Sequence, residues 1–395
     1  MHTDVLIAGG GIGGLAAALA CARAGCHVRL YERAEGFQEV GAGIQMGPNV
    51  TRVLRAWDLE GPLRQVAAFP DRLQVRHARS GAELGVLQLG ASMEQRYGAP
   101  YATIHRADLQ QLLLRALQQR DAVWLHTGKT VHRYVETGGA VGLSLGDGLD
   151  VEGDVLIAAD GLWSQLRQQL LADGPPRVAG HLAYRALLRQ SDLPAVLRSQ
   201  QVTAWLGPQL HVVQYPVRGG EWLNVVAIVH GHVHGSLEDW DHGANAADLQ
   251  AALAQACGDL RHLVAAVPAW RLWVLCDRPP VGGPGQMAQG HVALLGDAAH
   301  PMRPYLAQGA GMAIEDAAEL GRQVALVDGV LDVPTLLQRY ALNRWQRNAQ
   351  VQARSVRNGE VFHLEGARAW ARDTALRLLG ERLLDQPWLY GHGPA

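Results

Sequence analysis

The chain has 395 residues, more than most single cores organise, so two packed domains are expected. Hydrophobic residues make up 48% and charged residues 18%, a globular composition that excludes wholesale disorder. The formal net charge of -2 leaves no basic excess for nucleic acid or an anionic membrane surface, and points to a small-molecule partner.

No window reaches the ~18 consecutive apolar residues of a membrane span. The opening residues, Met1-His2-Thr3-Asp4, carry no basic stretch, so no signal peptide is expected. Four cysteines do not make a disulfide framework, and a reducing cytoplasm fits.

In chain order, residues 4–8 (DVLIA) form an apolar run bounded by glycines and read as a buried parallel strand. A glycine-rich turn spans 9–14, and residues 15–23 read as an alanine-rich helix closed by Gly25. Residues 27–31 (HVRLY) read as the second strand. Residues 107–119 read as a helix with leucines at 109, 112, 113, 114 and 117, and 154–159 and 291–295 as two more apolar strands. From about 178 to 275 the pattern changes. Residues 204–206, 211–217 and 221–229 alternate and are rich in β-branched and aromatic types, with Gly219-Gly220 as a hairpin turn. Residues 311–325 and most of 334–384 read as helices. The expected fold is α/β: a Rossmann-like dinucleotide domain (1–70, 100–177 and 278–345) with an inserted, mainly antiparallel β-sheet domain (71–99 and 178–277). A C-terminal helical segment (346–395) follows.

Gly9-x-Gly11-x-x-Gly14 lies between the first strand and the first helix. The first glycine makes the tight turn, the second lets the backbone approach a pyrophosphate, and the third permits close helix–strand packing. The helix N-terminus then offers N–H groups to the phosphates. Glu32 ends the second strand, 18 residues beyond Gly14, placed to accept a ribose hydroxyl. These features do not separate NAD from FAD. Two further motifs do. Ala159-Asp160-Gly161, followed by Ser164 and Arg167, ends one apolar strand, and Gly296-Asp297 ends another. Ligands bind at such strand ends. Asp297 suits a flexible polyol such as ribityl. A helix starting at Gly309-Ala310-Gly311 would aim its N-terminus at the edge of an isoalloxazine that becomes negative on reduction.

Cys21 and Cys26 have the C-x4-C spacing of a flavin disulfide reductase pair, but both fall inside the nucleotide fold, where buried apolar thiols are the expected reading. His230, His232 and His234 alternate as metal ligands could. No acidic or cysteine ligand joins them, and no metal is expected. His300 is read as a structural residue near the flavin. His211, Val213 and Tyr215 share one strand face. By spacing alone His211 is either a buried structural histidine or a base acting on a phenol.

The segments IAGGGIGGLAAALA, YERA, GAGIQMGPN, HRADL, IAADGLWSQLR and LLGDAAHPMRPYLAQGAGMAIEDA together resemble the single-component FAD-dependent aromatic hydroxylases of the p-hydroxybenzoate hydroxylase fold. The resemblance implies that Gly9, Gly11, Gly14, Glu32, Arg106, Asp160 and Asp297 hold FAD. Arg33 beside Glu32, Gly43 in GAGIQMGPN, and Gly309, Ala310 and Gly311 count with that site. It implies NADH or NADPH as a transient co-substrate, which agrees with the lack of a second GxGxxG, and O2 as oxidant. A homodimer is compatible with it.

Within the family, RYGAPYATIHRADL, LHVVQYPVRGGEWLNVVA, VFHLEGARAWARD and PWLYGH resemble the 3-hydroxybenzoate 6-hydroxylases. That likeness implies His211, Tyr215 and Tyr305 as catalytic residues and gentisate (2,5-dihydroxybenzoate) as product. Two positions depart from it: Pro304 stands where a glutamine is usual, and Ala186 where a glycine is usual. Met302-Arg303-Pro304-Tyr305 is closer to the 6-hydroxynicotinate 3-monooxygenases, and a salicylate hydroxylase-like activity is a further alternative. The rivals outside the monooxygenases are a flavin disulfide reductase, an oxidase, and a non-enzymatic nucleotide-binding module.

Overall fold

In the computed structural model, residues 2–37, 42–232, 237, 244–327 and 331–391 are described. Five parallel strands and one short antiparallel edge strand make a six-stranded sheet. Its order is Ala288–Gln289, Val292–Leu294, Val155–Ala158, Asp4–Ala8, His27–Tyr31, Val123–His126. Val5, Leu6 and Ile7 are fully buried because helices cover the sheet, which is why this strand reads as an unbroken apolar run. The first helix runs Ile12–Arg23, three residues earlier than its alanine pattern suggests, so Gly13 and Gly14 lie inside its first turn. It packs on the helix Gly309–Val324. A Cβ at Gly321 would lie 2.9 Å from the Ala20 carbonyl oxygen, so these helices meet backbone to backbone.

The second large sheet has seven strands in the order Arg271–Asp277, Arg177–Arg189, Trp222–His230, Leu210–Val217, Val202–Gly207, Arg72–His77, Glu83–Gln88. All its pairings are antiparallel except that of Val202–Gly207 with Arg72–His77. The expected α/β frame with an inserted, mainly antiparallel sheet is therefore what the chain forms. Period-two alternation splits this sheet cleanly. Leu182, Tyr184, Val212, Val225 and Ala227 pack under the helices Ala246–Ala252 and Gly258–Ala265. The opposite face carries Ala183, Arg185, His211, Val213, Tyr215, Asn224, Val226 and Ile228. Register sets His211 against Leu206 and Ile228, and Tyr215 against Asn224.

The hairpin turn at 219–220 forms as a short 3-10 turn, Arg218–Gly220. A third sheet, Val131–Thr137, Ala140–Leu145 and Asp150–Gly153, is not anticipated from the sequence. The C-terminal region is helical. A 30-residue helix, Val333–Phe362, is capped by Asp332, whose carboxylate accepts from Thr335 N–H at 2.9 Å. Gly366–Leu379 follows. The long helix is tied to Gly309–Val324 by a buried ion cluster: Arg344 to Glu315 (2.9 Å) and Asp316 (2.7 Å), and Arg347 to Glu315 (2.6 Å). No helix among the described residues is long and apolar enough to cross a membrane.

Candidate active site

Gly9 has φ +102°, and a Cβ there would sit 2.4 Å from the Ala159 carbonyl oxygen; only glycine makes this turn. A Cβ at Gly14 would lie 1.9 Å from the Gly9 carbonyl oxygen. A Cβ at Gly11, by contrast, would meet no protein atom within 4 Å. That open side of the loop is where the motif's second glycine lets a pyrophosphate approach. The Glu32 carboxylate accepts from Gly10 N–H at 2.6 Å and from Ala34 N–H at 2.9 Å. It therefore pins the glycine loop, and each oxygen keeps acceptor capacity for a ribose hydroxyl.

Asp160 and Asp297 lie just beyond strand ends. One carboxylate oxygen of Asp160 is buried with no hydrogen-bond partner, and burial raises its pKa. Asp297 is exposed between buried Gly296 and Ala298. Gly309, Ala310 and Gly311 form the first turn of their helix, with no side-chain cap, so their N–H groups have no partner inside the helix. Arg106 begins the helix Arg106–Gln118, and its N–H donates to Ala42 O at 2.9 Å. Arg33 is exposed just beyond the second strand. An open loop face, an orphaned buried carboxylate oxygen and an uncapped helix end are the features a flavin dinucleotide would complete, and the residues fit FAD.

Gly43 joins this cradle to the seven-stranded sheet. Its N–H donates to Asn224 Oδ1 at 2.7 Å, and a Cβ there would lie 2.5 Å from the Tyr215 ring. Tyr215 is buried, which raises its pKa and keeps it a neutral phenol. Arg185 shares this face, with its guanidinium 3.9 Å from the centroid of the Trp273 ring. Burial lowers the Arg185 pKa to about 10, and its Nε has no hydrogen-bond partner.

His211 and Tyr305 come together, their ring centroids 5.2 Å apart. Tyr215 lies four residues along the strand, on the same face. His211 is 2% exposed. Burial first, then His181, holds its pKa down to about 3, so the ring is neutral at physiological pH. Its Nδ1 shares a 2.8 Å hydrogen bond with His363 Nε2. Burial raises the Tyr305 pKa, and its hydroxyl shares a 2.5 Å hydrogen bond with His181 Nδ1. The Tyr305 ring sits over Gly359, where a Cβ would come within 2.5 Å.

Sequence reasoning missed His181 and His363. The 230-232-234 alternation points elsewhere: His230 ends its strand, His232 lies outside it, and His234 lies outside the described residues. The structure instead gathers His181, His230 and His363, with one ring nitrogen of each within 4.8 Å of the others. Nothing local in the sequence pairs residue 363 with residue 211; VFHLEG carries only a family likeness. His300 is fully buried and bonded to Asp316. Burial alone would raise the Asp316 pKa, but His300 and Arg344 hold it below the usual carboxylate range. Cys21 and Cys26 are both buried free thiols.

Residues 2–355 match the FAD binding domain family. The chain is 37% identical over 390 residues to a 3-hydroxybenzoate 6-hydroxylase of Polaromonas naphthalenivorans (strain CJ2), covering 98% of this chain and 95% of that protein. It is 38% identical over 388 residues to a 3-amino-4-hydroxybenzoate 2-monooxygenase, PtnB3, of Streptomyces platensis, covering 98% of this chain and 95% of that one. Among solved structures, Klebsiella pneumoniae HpxO complexed with FAD and uric acid superposes with a TM-score of 0.85 at 27% identity, covering 97% of this chain and 94% of that chain. The cradle, the seven-stranded sheet that meets it at Gly43 as its roof and these full-length likenesses agree, and the chain belongs to the family of FAD-dependent aromatic hydroxylases.

Proposed function

We propose that this enzyme hydroxylates a small phenolic aromatic acid, with 3-hydroxybenzoate converted to 2,5-dihydroxybenzoate as the first reading, using NADH or NADPH and O2 in the cytoplasm. The observation that carries it is the pairing, on one buried face, of a neutral imidazole with an incompletely bonded guanidinium. His211 Nε2 takes no hydrogen bond among the described residues, and its Nδ1 is engaged by His363. Arg185 lies two strands away and one face position along, roughly 12 Å between backbones by strand spacing and rise. A ring bearing a hydroxyl at one end and a carboxylate at the other spans that gap once side chains reach inward. The relatives' names pair a hydroxyl and a carboxylate in the same way.

Arg185 would hold the carboxylate, a charge-assisted contact. His211 Nε2 would accept the hydroxyl proton. Tyr215, kept neutral by burial, would donate a hydrogen bond, and Tyr305, its hydroxyl engaged by His181, would help keep water out. Ionising the hydroxyl enriches the ring carbons ortho and para to it; in 3-hydroxybenzoate the para carbon is C6. The loop at Gly9 to Gly14, Glu32, Asp160 and Asp297 would hold FAD, which would pass electrons from NADH or NADPH to O2 and so activate the oxygen that is transferred.

A 6-hydroxynicotinate-like substrate stands second, favoured by Pro304 before Tyr305. It also carries a carboxylate and an ionisable ring hydroxyl. The test is a screen of hydroxybenzoates and hydroxypyridine carboxylates for stimulated NADH or NADPH oxidation, with products identified by mass. Stimulation by 3-hydroxybenzoate with a product heavier by one oxygen is expected. Oxidation with no hydroxylated product from any of these acids would defeat the reading in favour of an oxidase.

A further inference from the structure

His211 poses a chemical problem. Its neutral ring accepts a proton, yet a buried imidazolium there is unfavourable, because burial penalises the charged form. A phenol ordinarily ionises near pKa ~10, so an isolated His211 would not keep the proton it takes. The structure offers a continuation. His211 Nδ1 meets His363 Nε2 at 2.8 Å, and His363 Nδ1 meets His230 Nε2 at 2.9 Å. Exposure rises along this line: His211 and His363 are buried, and His230 is exposed. His230 and His363 line a surface cavity of about 560 Å³, together with Glu360, Glu365 and Arg368.

We propose that His211, His363 and His230 form a proton relay that carries the substrate's hydroxyl proton from the buried face to solvent. The inference rests on the phenolic-acid reading above. In each cycle the substrate O–H bond breaks and an N–H bond forms at His211 Nε2. The Nδ1 proton of His211 passes to His363 Nε2, that of His363 Nδ1 to His230 Nε2, and that of His230 Nδ1 to water. One proton reaches solvent, no electron moves, and each ring ends neutral in its other tautomer. A proton returning by the same route to the product hydroxyl resets the three rings.

The surroundings suit conduction rather than storage of charge. Burial, and then the neighbouring histidines, depress His363; burial depresses His230. The charged and titratable groups packed against the line are His181, Tyr305, Arg303, Asp277, Glu365 and Arg372. His181 is tied to the Tyr305 hydroxyl and forms a side branch. A shared metal among His181, His230 and His363 is the competing use of these rings. It is disfavoured because both His363 nitrogens already face other imidazoles at hydrogen-bond distance, on opposite sides of its ring.

The test uses the FAD-loaded protein, mixed rapidly with 3-hydroxybenzoate in weakly buffered solution containing a pH-indicator dye. Binding is followed separately by perturbation of the flavin spectrum. Wild-type protein should release a proton on binding. His363→Phe interrupts the line while leaving His211 in place. It should bind the acid but release the proton at least about tenfold more slowly, against the ~10² to 10⁴ that a positioned proton-transfer group supplies. In His363→Ala, which leaves room for it, added imidazole should restore part of the rate, which no purely structural role predicts. His230→Gln, at the exposed end, should slow release by a smaller factor and serves if the His363 variant does not fold. Proton release at the wild-type rate in His230→Gln and any folded His363 variant overturns the relay, as does a stoichiometric metal ion in the purified protein. If 3-hydroxybenzoate leaves the wild-type flavin spectrum unperturbed, the substrate reading fails, and the relay as stated falls with it.

Discussion

The cofactor cradle and the roof above it are built from different materials. Around Gly9, Gly14 and Ala159 the contacts that shape the cradle are backbone on backbone, and the distances leave no room for a single added carbon. Around His211 the contacts are side chain on side chain: Tyr305, Phe362 and His363 reach it from a loop and the end of a long helix. A backbone wall is fixed by one short stretch of chain. A side-chain wall depends on residues as far apart as 181 and 363 arriving together, so it can be retuned without disturbing the fold. The same split separates what the family shares, the flavin, from what its members vary, the aromatic ring.

The sharpest way to break this comparison is at the glycines. Gly14→Ala places a carbon against the Gly9 carbonyl, where no flexible side chain can yield. It should cost at least about 1–3 kcal/mol and abolish FAD retention, read as a lowered melting temperature and colourless protein. Gly11→Ala meets no protein atom. It should melt like wild type without FAD yet bind FAD more weakly. Equal losses of apo-protein stability in both variants would mean that the loop is not the backbone wall described.

On the roof, His211→Ala should leave folding and FAD content unchanged and lower the rate of hydroxylation by about 10²- to 10⁴-fold. NADH or NADPH consumption should continue when an aromatic acid binds, with O2 diverted to H2O2. The ratio of hydroxylated product to reductant consumed should recover partly as pH rises from 6 to 9, because solvent then ionises the phenol. A fully coupled variant at wild-type rate would make His211 a packing residue.

Legibility follows the same division. The Gly9 to Gly14 loop, Glu32 and Asp297 could be found in the sequence because one βαβ unit and two strand ends fix them locally. Alternation put His211 and Tyr215 on one face, since strand periodicity is local too. The partners of His211 were hidden. His181 sits in the strand Arg177–Arg189 and His363 just past a 30-residue helix, and only the tertiary fold brings them within one ring of His211. Nothing in the sequence marks Arg185; that its side chain faces Tyr215 follows from register, not from spacing. The sheet Val131–Thr137, Ala140–Leu145 and Asp150–Gly153 escaped because its strands are partly exposed and only weakly apolar.

The histidine cluster gives the roof an acid weakness. Burial lowers the folded-state pKa of His211 to about 3 and of His181 to about 4, against ~6.5 unfolded. Below pH 6.5 the unfolded chain binds more protons, so stability rises with pH and is lost as pH falls from about 6.5 toward 4. The melting temperature should drop over that window, and His363→Phe should flatten the drop. An unchanged slope in that variant would show that the cluster does not set it.

A smaller effect is expected at Glu32. Glu32→Ala removes the acceptor of Gly10 N–H and Ala34 N–H but leaves the glycines in place. FAD affinity should fall by about tenfold, ~1.4 kcal/mol, measured by titrating apo-protein with FAD. Unchanged affinity would take Glu32 out of the ribose role and leave it as a loop tether only.

The smallest effect on turnover should come from the two cysteines with the disulfide-reductase spacing, although they lie closest in sequence to the cofactor loop. A redox pair must meet the flavin as a thiolate or a disulfide. Cys21 lies nine residues into the helix Ile12–Arg23, roughly 13 Å from its N-terminus by helix rise, and Cys26 just precedes the next strand. Both thiols are buried and unpaired. Burial raises Cys21 well above its ordinary value and pushes Cys26 up to about 11, so both stay protonated and unreactive at neutral pH. Their role is packing inside the cradle, where an apolar sulfur suits the site. Cys21→Ser with Cys26→Ser should therefore lower the melting temperature modestly, because two hydroxyls are buried at about 1–3 kcal/mol each where unpartnered. Turnover per bound FAD should stay at the wild-type level. Loss of flavin re-reduction in a double variant that keeps its FAD would instead move the electron path through the cradle, and the division between a backbone cofactor site and a side-chain reaction site would no longer hold.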